Sequence, residues 1–403
     1  LVRGEEEKGL FSHRSAFNST PNRWTLALQE ALRQALHRRR PLLELTQTNP
    51  TLVGLGPQPG LQPDLQPDLQ PDLQPSLLPS SGYIPEAQGL VVARKALAEA
   101  LGYPALFGQL CLTSGSSEAL GVALKLLGDA GDEVLVGLPG YPLVELLTGF
   151  ESLRCVPFPL RLEDGAFRWD MPLLEERLTS RTRVVVVTSP QVPVGCCLLP
   201  EEVLALEAFC VRHRLALIVD QVFALRQHSL VGHAWRCLTF VLGGLSKWLG
   251  LPQHKLAWTW VLGPQPLAEE ALRRWLWVAD AYLCLATPVQ EAVAGWLPLA
   301  QAFQSRVEAR CQNNHACLVK LRPEGAAWDI FPREAGWMAA LRIPIAPEEE
   351  CVVLYLLEAG VVVWPGYFFD MPMPGFLVVS LLLEEAAFEE AASRMVEVLE
   401  EVF

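Results

Sequence analysis

The sequence lacks any run of about 18 uncharged apolar residues, the length a membrane-spanning helix needs, although 51% of it is hydrophobic. The nearest approach, Cys351 to Phe369, is broken by Glu358, Gly360, Pro365 and Gly366 and reads as helix, turn and strand. No membrane span is expected. Basic charge is also short: 32 Lys and Arg stand against 45 Asp and Glu, a formal net charge of −13. A sequence-independent nucleic-acid binder needs a basic footprint, and the balance here is the reverse. The one local run, His37-Arg38-Arg39-Arg40, follows a helical pattern, where cations suit the helix dipole, and reads as structural. The ten cysteines show no C-x-x-C pair, and Cys196 and Cys197 are adjacent. Metal binding and a disulfide framework are therefore poorly supported, and reduced thiols in a cytoplasmic setting are the expectation. The first twelve residues are charged and do not read as a signal peptide. Leu1 is not an initiator methionine, which leaves the completeness of the N-terminus open.

What is present is enough apolar material for two domains and a large core in 403 residues. Residues 1–50 read as a loose polar arm, a helix from Arg23 to His37 capped by Asn22, and a short strand at Leu42–Leu45. Leu26, Leu28, Ala31, Leu32 and Leu36 supply the apolar stripe of that helix. Residues 51–82 hold the only low-complexity segment, in which Leu-Gln-Pro-Asp repeats three times from Leu61 and trails off as Leu-Gln-Pro-Ser. Proline every fourth residue forbids helix and sheet ladders, so the segment reads as an extended linker. Over 83–287 helices alternate with short apolar strands: Gln109–Leu112, Glu133–Val136, Arg183–Thr188, Leu215–Val219, Leu238–Leu242 and Trp258–Leu262. That alternation predicts an α/β domain, a mainly parallel sheet sandwiched by helices. Residues 288–403 read as a smaller α+β domain, completed by the N-terminal helix.

Sites in such sheets lie at the carboxyl ends of the strands, and the polar clusters of this chain fall there. Gly115-Ser116-Ser117 separates a strand from a helix N-terminus, a place where backbone N–H groups and hydroxyls can hold a phosphate. Ser and Gly are equally ordinary capping residues. Tyr141 lies in a Pro-Gly-Tyr-Pro turn, able to stack on a flat ring or simply to fill a core. Asp220 ends the apolar run Ala216–Val219, where a carboxylate is costly to bury without a cationic partner. Leu238–Leu242 stops at two glycines and delivers Ser246 and Lys247, with Lys255 eight residues on. A lysine held at a strand end is what a Schiff-base enzyme needs; a solvated loop lysine is the bland alternative.

Taken together, the order phosphate cradle, stacking aromatic, buried aspartate and strand-end lysine is what pyridoxal phosphate chemistry requires. From Tyr83 to about Ser380 the chain resembles the fold-type I, class I/II aminotransferases. The resemblance is carried by Tyr83 with Gly89, Thr113 to Leu120, Gly131-Asp132-Glu133-Val134, Pro139-Gly140-Tyr141-Pro142, Asp220-Gln221-Val222-Phe223, Leu245-Ser246-Lys247 and Pro365-Gly366-Tyr367-Phe368-Phe369. It implies the seven-stranded fold of that group and pyridoxal 5'-phosphate as cofactor, with Lys247 as Schiff-base lysine and proton shuttle. It further implies that Asp220 pairs with the pyridine nitrogen and Tyr141 stacks on the ring. Ser116, Ser117, Ser246 and Lys255 would hold the phosphate, and Tyr83 would reach the phosphate of a neighbouring subunit in a homodimer. Small-molecule amino donors and 2-oxo acid acceptors are the implied substrates.

Several residues depart from the family's pattern. The stretch Ser189 to Gly195 places Val192 where an asparagine usually donates to the cofactor's phenolic oxygen, and Phe223 stands where a tyrosine often does the same. Lys255 replaces an arginine, keeping the charge and losing the bidentate fork. The arginine that grips the substrate carboxylate is missing: Val378, or Leu377 in the shifted register, occupies its place. Arg14 and Arg342 are the nearest candidates to replace it. Alternatives of a different class therefore stay open, namely a relative that binds without turnover, or a lyase or decarboxylase on the same fold.

Overall fold

The computed structural model describes residues 22–38, 42–55, 85–163, 165–283 and 285–403. Arg14, the Leu-Gln-Pro-Asp repeat and Tyr83 lie outside these described residues. Helix α1 (Arg23–Arg38) starts at Asn22, whose Oδ1 accepts the Thr25 N–H at 2.8 Å, satisfying one of the donors that a helix start leaves open. Leu26 and Leu32 do not belong to its packed stripe; they are 52% and 47% exposed. Leu28 and Ala31 of the expected stripe do pack, joined by Trp24 and Ala27, the spacing of one helix face, because α1 lies along the helix at 349–358. Strand β1 (Leu43–Glu44) pairs in parallel with 361–362.

Helix α2 (Val91–Leu101) leads to β2 (Leu110–Thr113), α3 (Ser116–Leu127), β3 (Glu133–Leu138), α4 (Leu143–Phe150) and β4 (Arg154–Pro159). A hairpin of β5 (Arg161–Glu163) and β6 (Ala166–Arg168) and helix α5 (Met171–Glu176) precede β7 (Thr182–Thr188). Then come α6 (Pro200–His213), β8 (Ala216–Asp220), β9 (Thr239–Gly244), the single turn α7 (Leu245–Trp248), β10 (Ala257–Leu262) and α8 (Gln265–Ala281). Seven strands join in the order β2-β10-β9-β8-β7-β3-β4. β10 runs antiparallel to both neighbours and the other pairs are parallel. The predicted α/β sandwich is therefore present.

Side chains alternate across each strand, and both faces of this sheet are covered. Val184, Val186, Ile218 and Phe240 meet Ala119 of α3 and Trp275 of α8 in one core. Val185, Val187, Leu217 and Val241 enter the other. Two buried faces explain why these strands read as unbroken apolar runs. Strand β4 carried no such signal because its Cys-Val-Pro-Phe-Pro segment holds two prolines. It sits at the sheet edge, where a missing N–H is tolerated.

The two glycines after Leu242 do not stop β9; they are its last two residues and pair with Trp258 and Ala257 of β10. A Cβ on Gly243 would overlap the indole of Trp258, so only glycine lets that ring lie across the strand. Gly243→Ala is expected to destabilise the protein by about 1–3 kcal/mol through overpacking, read as a lowered melting temperature.

The C-terminal third contains α9 (Thr287–Trp296), α10 (Ala300–Leu321), β11 (Asp329–Ile330), β12 (Met338–Arg342), α11 (Glu349–Glu358), β13 (Val361–Val362), β14 (Trp364–Pro365), β15 (Phe376–Ser380) and α12 (Glu385–Val402). Four strands form an antiparallel sheet in the order β11-β12-β15-β14. Two sets of hydrogen bonds order this part of the chain. The buried Glu349 carboxylate accepts N–H bonds from Tyr367 at 3.0 Å, Gly375 at 2.9 Å and Phe376 at 2.9 Å, closing the loop between β14 and β15. Ser380 donates its N–H to the Leu45 carbonyl and its hydroxyl to the Gln47 carbonyl, each at 2.6 Å, which anchors Thr48. Among the described residues no helix is long and apolar enough to cross a membrane.

Candidate active site

A cavity of about 510 Å³ opens at the carboxyl ends of β3, β7 and β8, between the large sheet and β12. Its walls bring together Ser116, Ser117, Tyr141, Asp220 and Lys247, residues that the sequence singles out one by one at separate strand ends. Gly115 and Ser246 adjoin this group along the chain without lining the cavity. Lys255 is exposed, in left-handed backbone conformation (φ 52°) after a 3-10 turn, and does not line it.

Each side chain has a local reason for its place. Gly115 is extended at the N-cap of α3, leaving Ser116 and Ser117 in the first turn, where backbone N–H groups have no acceptor within the helix. The Glu118 carboxylate accepts from the Ser114 N–H at 2.7 Å and from the Ser114 hydroxyl, fixing the approach to that turn. Asp220 stands level with Thr188 of β7 and Leu242 of β9. Its Oδ1 accepts the Val222 N–H at 3.0 Å, and burial pushes its carboxyl up to about 6 against that one compensating bond. No ion pair to Asp220 forms among the described residues.

Lys247 rises from α7, one turn past the end of β9. Its ammonium lies 5.4 Å from the Phe223 ring centre and 5.1 Å from that of Trp337. The two rings meet edge to face at 5.3 Å, so the amine is held against aromatic faces rather than a carboxylate. Burial lowers its pKa to about 8, which leaves roughly one-tenth of it neutral at pH 7. A neutral amine is a nucleophile; an ammonium is not.

Arg342 supplies no clamp here. Arg342 donates to the Pro374 carbonyl at 2.6 Å and stacks 4.8 Å over the Phe376 ring, away from the cavity; Arg14 is outside the described residues. Val378 is fully buried in a small apolar cluster with Met338 and Phe369, and Val192 packs against it. The two valines that replace polar residues of the family's pattern thus share one apolar wall. Nothing in the local sequence pointed to four other residues on the cavity: Thr48, Glu145, Cys155 and Asp370. They arrive from the N-terminal segment, a helix face, the edge strand with its prolines and the loop closed by Glu349. Only the assembled fold collects them.

The seven-stranded α/β sheet is that of an aminotransferase fold, and Lys247, Asp220 and the first turn of α3 gather on one cavity at its strand ends. The chain belongs to the aminotransferase class I and II family, whose model matches residues 80–395. It is 26% identical over 327 residues to a glutamate-pyruvate aminotransferase of Escherichia coli, covering 75% of this chain and 78% of that protein. It is 35% identical over 186 residues to capreomycidine synthase of Streptomyces vinaceus, covering 45% and 46%. The fold is similar to that of an alanine aminotransferase from Pyrococcus furiosus, with a TM-score of 0.84 at 19% identity over 97% of this chain and all of that one.

Proposed function

We propose that this chain is a pyridoxal-phosphate-dependent aminotransferase moving an amino group between an amino acid or other amine and a 2-oxo acid. One observation carries the reading: Lys247, with a depressed pKa, from the turn after β9, and Asp220, with a raised one, from the end of the neighbouring β8, face the same cavity. A buried carboxylate without a cation fits a protonated ring nitrogen, the amine fits an aldehyde, and the first turn of α3 fits a phosphate. When bound, the cofactor supplies an aldehyde that condenses with amines and a ring that draws electrons from the carbon attached to them. Asp220 would keep a proton on the ring nitrogen. Gly115, Ser116 and Ser117 would hold the phosphate, with Ser246 beside it and Lys255 reaching it from outside the cavity lining, and Tyr141 would lie against the ring. Lys247 would carry the covalent link and move the proton at the donor's amine-bearing carbon. The apolar wall at Val192 excludes water and donates no hydrogen bond. The reading extends to a homodimer in which Tyr83 serves the partner's phosphate; size-exclusion chromatography with light scattering giving twice the chain mass is the expected result.

The test has two parts. Borohydride reduction of the purified, yellow protein is expected to fix the cofactor on the Lys247 peptide, and an unlabelled peptide there would overturn the reading. A donor screen that tracks spectral conversion to the amine form of the cofactor is expected to find at least one active donor. A second reading, a protein that binds the cofactor without turnover, is favoured by the apolar cluster around Val378. Cofactor fixation with no conversion by any donor would support that reading, and release of product without amino transfer would support a lyase.

A further inference from the structure

The charges facing the cavity are unevenly divided. Among the described residues lining it, Lys247 is the one lysine or arginine, against the carboxylates of Glu145, Asp220 and Asp370. On the reading above, Lys247 and Asp220 are both engaged with the cofactor. Among the described residues that leaves Glu145 and Asp370, both solvent-exposed, as the charged groups on the cavity that a substrate meets. They act on the same part of the cavity: the Cys155 thiol, which also lines it, is pushed up to about 12 by burial first and then by the carboxylates of Glu145 and Asp370. Asp370 is held in left-handed backbone conformation (φ 51°), in the loop that Glu349 closes with three N–H bonds. Its backbone N–H donates to the Tyr367 carbonyl at 3.3 Å, and its side chain is solvent-exposed. Glu145 projects from α4.

The remaining wall is apolar. Met338 lines the cavity with Val378 and Phe369 behind it and Val192 alongside. A carboxylate placed there would lose its water without gaining a cation or a donor, which is strongly unfavourable. At Glu145 and Asp370 it would meet two like charges. A protonated amine meets the opposite: attraction at Glu145 and Asp370, and an alkyl chain that the apolar wall accepts.

We propose that the donor taken by this cavity carries no carboxylate on its amine-bearing carbon, and that a linear diamine binds with its second ammonium between Glu145 and Asp370. The inference rests on the aminotransferase reading and departs from it in the acceptor, which would be an aldehyde or ketone without an adjacent carboxylate in place of a 2-oxo acid.

Three ligands separate the contributions. Butanediamine and ornithine differ only in the carboxylate, and butanediamine and butylamine only in the second amine. Binding is measured by isothermal titration calorimetry on the borohydride-reduced holoprotein, so that the readout is affinity and not turnover. Butanediamine is expected to bind at least about tenfold more tightly than either of the others. Asp370→Asn, which asparagine's tolerance of left-handed backbone allows, should erase most of the gap between butanediamine and butylamine, as should Glu145→Gln on the exposed face of α4. Ornithine binding as tightly as butanediamine would overturn the proposal. So would no binding by any of the three, or full retention of the gap in both variants. Failure of borohydride to fix the cofactor at Lys247 would instead remove the underlying reading, which keeps the two failures distinct.

Discussion

Lys247→Ala is expected to abolish covalent capture of the cofactor and to lower amino transfer by at least about 10³-fold, since one side chain both carries the link and moves the proton. The effect should not come from unfolding. Lys247 makes no ion pair among the described residues, and its ammonium is opposed by burial against Phe223 and Trp337. Its folded pKa of about 8 lies below the ordinary lysine value of 10.5. The cofactor-free protein therefore binds fewer protons at this site than the unfolded chain between those two values, and it gains stability from Lys247 as pH rises through that window. Lys247→Ala should remove that rise and leave the melting temperature near neutral pH unchanged or higher. Thermal melts across the alkaline range check this, and a large loss of stability at pH 7 would count against the assignment.

Asp220→Asn should separate function from stability in the other direction. In the cofactor-free protein the Asp220 carboxyl is pushed up to about 6 by burial, against 3.8 for an ordinary aspartate. The folded state then holds an extra proton between those values, so the wild-type protein loses stability as pH rises from about 4 to about 6. By pH 7 the charged carboxylate costs on the order of 1–3 kcal/mol, after allowance for its partial exposure. The amide introduced by Asp220→Asn carries no such charge, and the cofactor-free variant is expected to melt at a higher temperature than wild type at pH 7 but not at pH 4. Amino transfer should fall by about 10²-fold or more, because the ring nitrogen loses its proton partner. Equal melting temperatures at both pH values would contradict the buried, unpaired carboxylate, and unchanged activity would contradict its role.

The large sheet was legible because its information is local. Val184–Val187, Leu215–Val219 and Phe240–Leu242 are apolar on both faces, and each run is followed by a polar cluster. Those clusters proved to share one cavity for a topological reason: parallel strands place their carboxyl ends on one side of the sheet. Local pattern failed where a neighbour set the outcome. Leu26 and Leu32 faced outward because α11 covers a different stripe of α1. β4 gives no strand signal because an edge strand tolerates the prolines that argue against a central one. β9 runs on through Gly243 and Gly244 because Trp258 needs the space their missing side chains leave.

The α/β architecture, the strand-end lysine and aspartate, and the lack of polar residues at 192 and 378 were therefore readable from the amino-acid order alone. Each depends on side chains acting on their own strand or turn. Packing decided what the missing polar groups mean. Val192 and Val378, far apart along the chain, meet in one apolar wall with Met338 and Phe369. Arg342 is turned to the Pro374 carbonyl, and Glu145, Cys155 and Asp370 are drawn onto the cavity by α4, the edge strand and the loop that Glu349 closes. Charge balance in a cavity is a sum over segments that only tertiary contacts bring together, and no local pattern carries it.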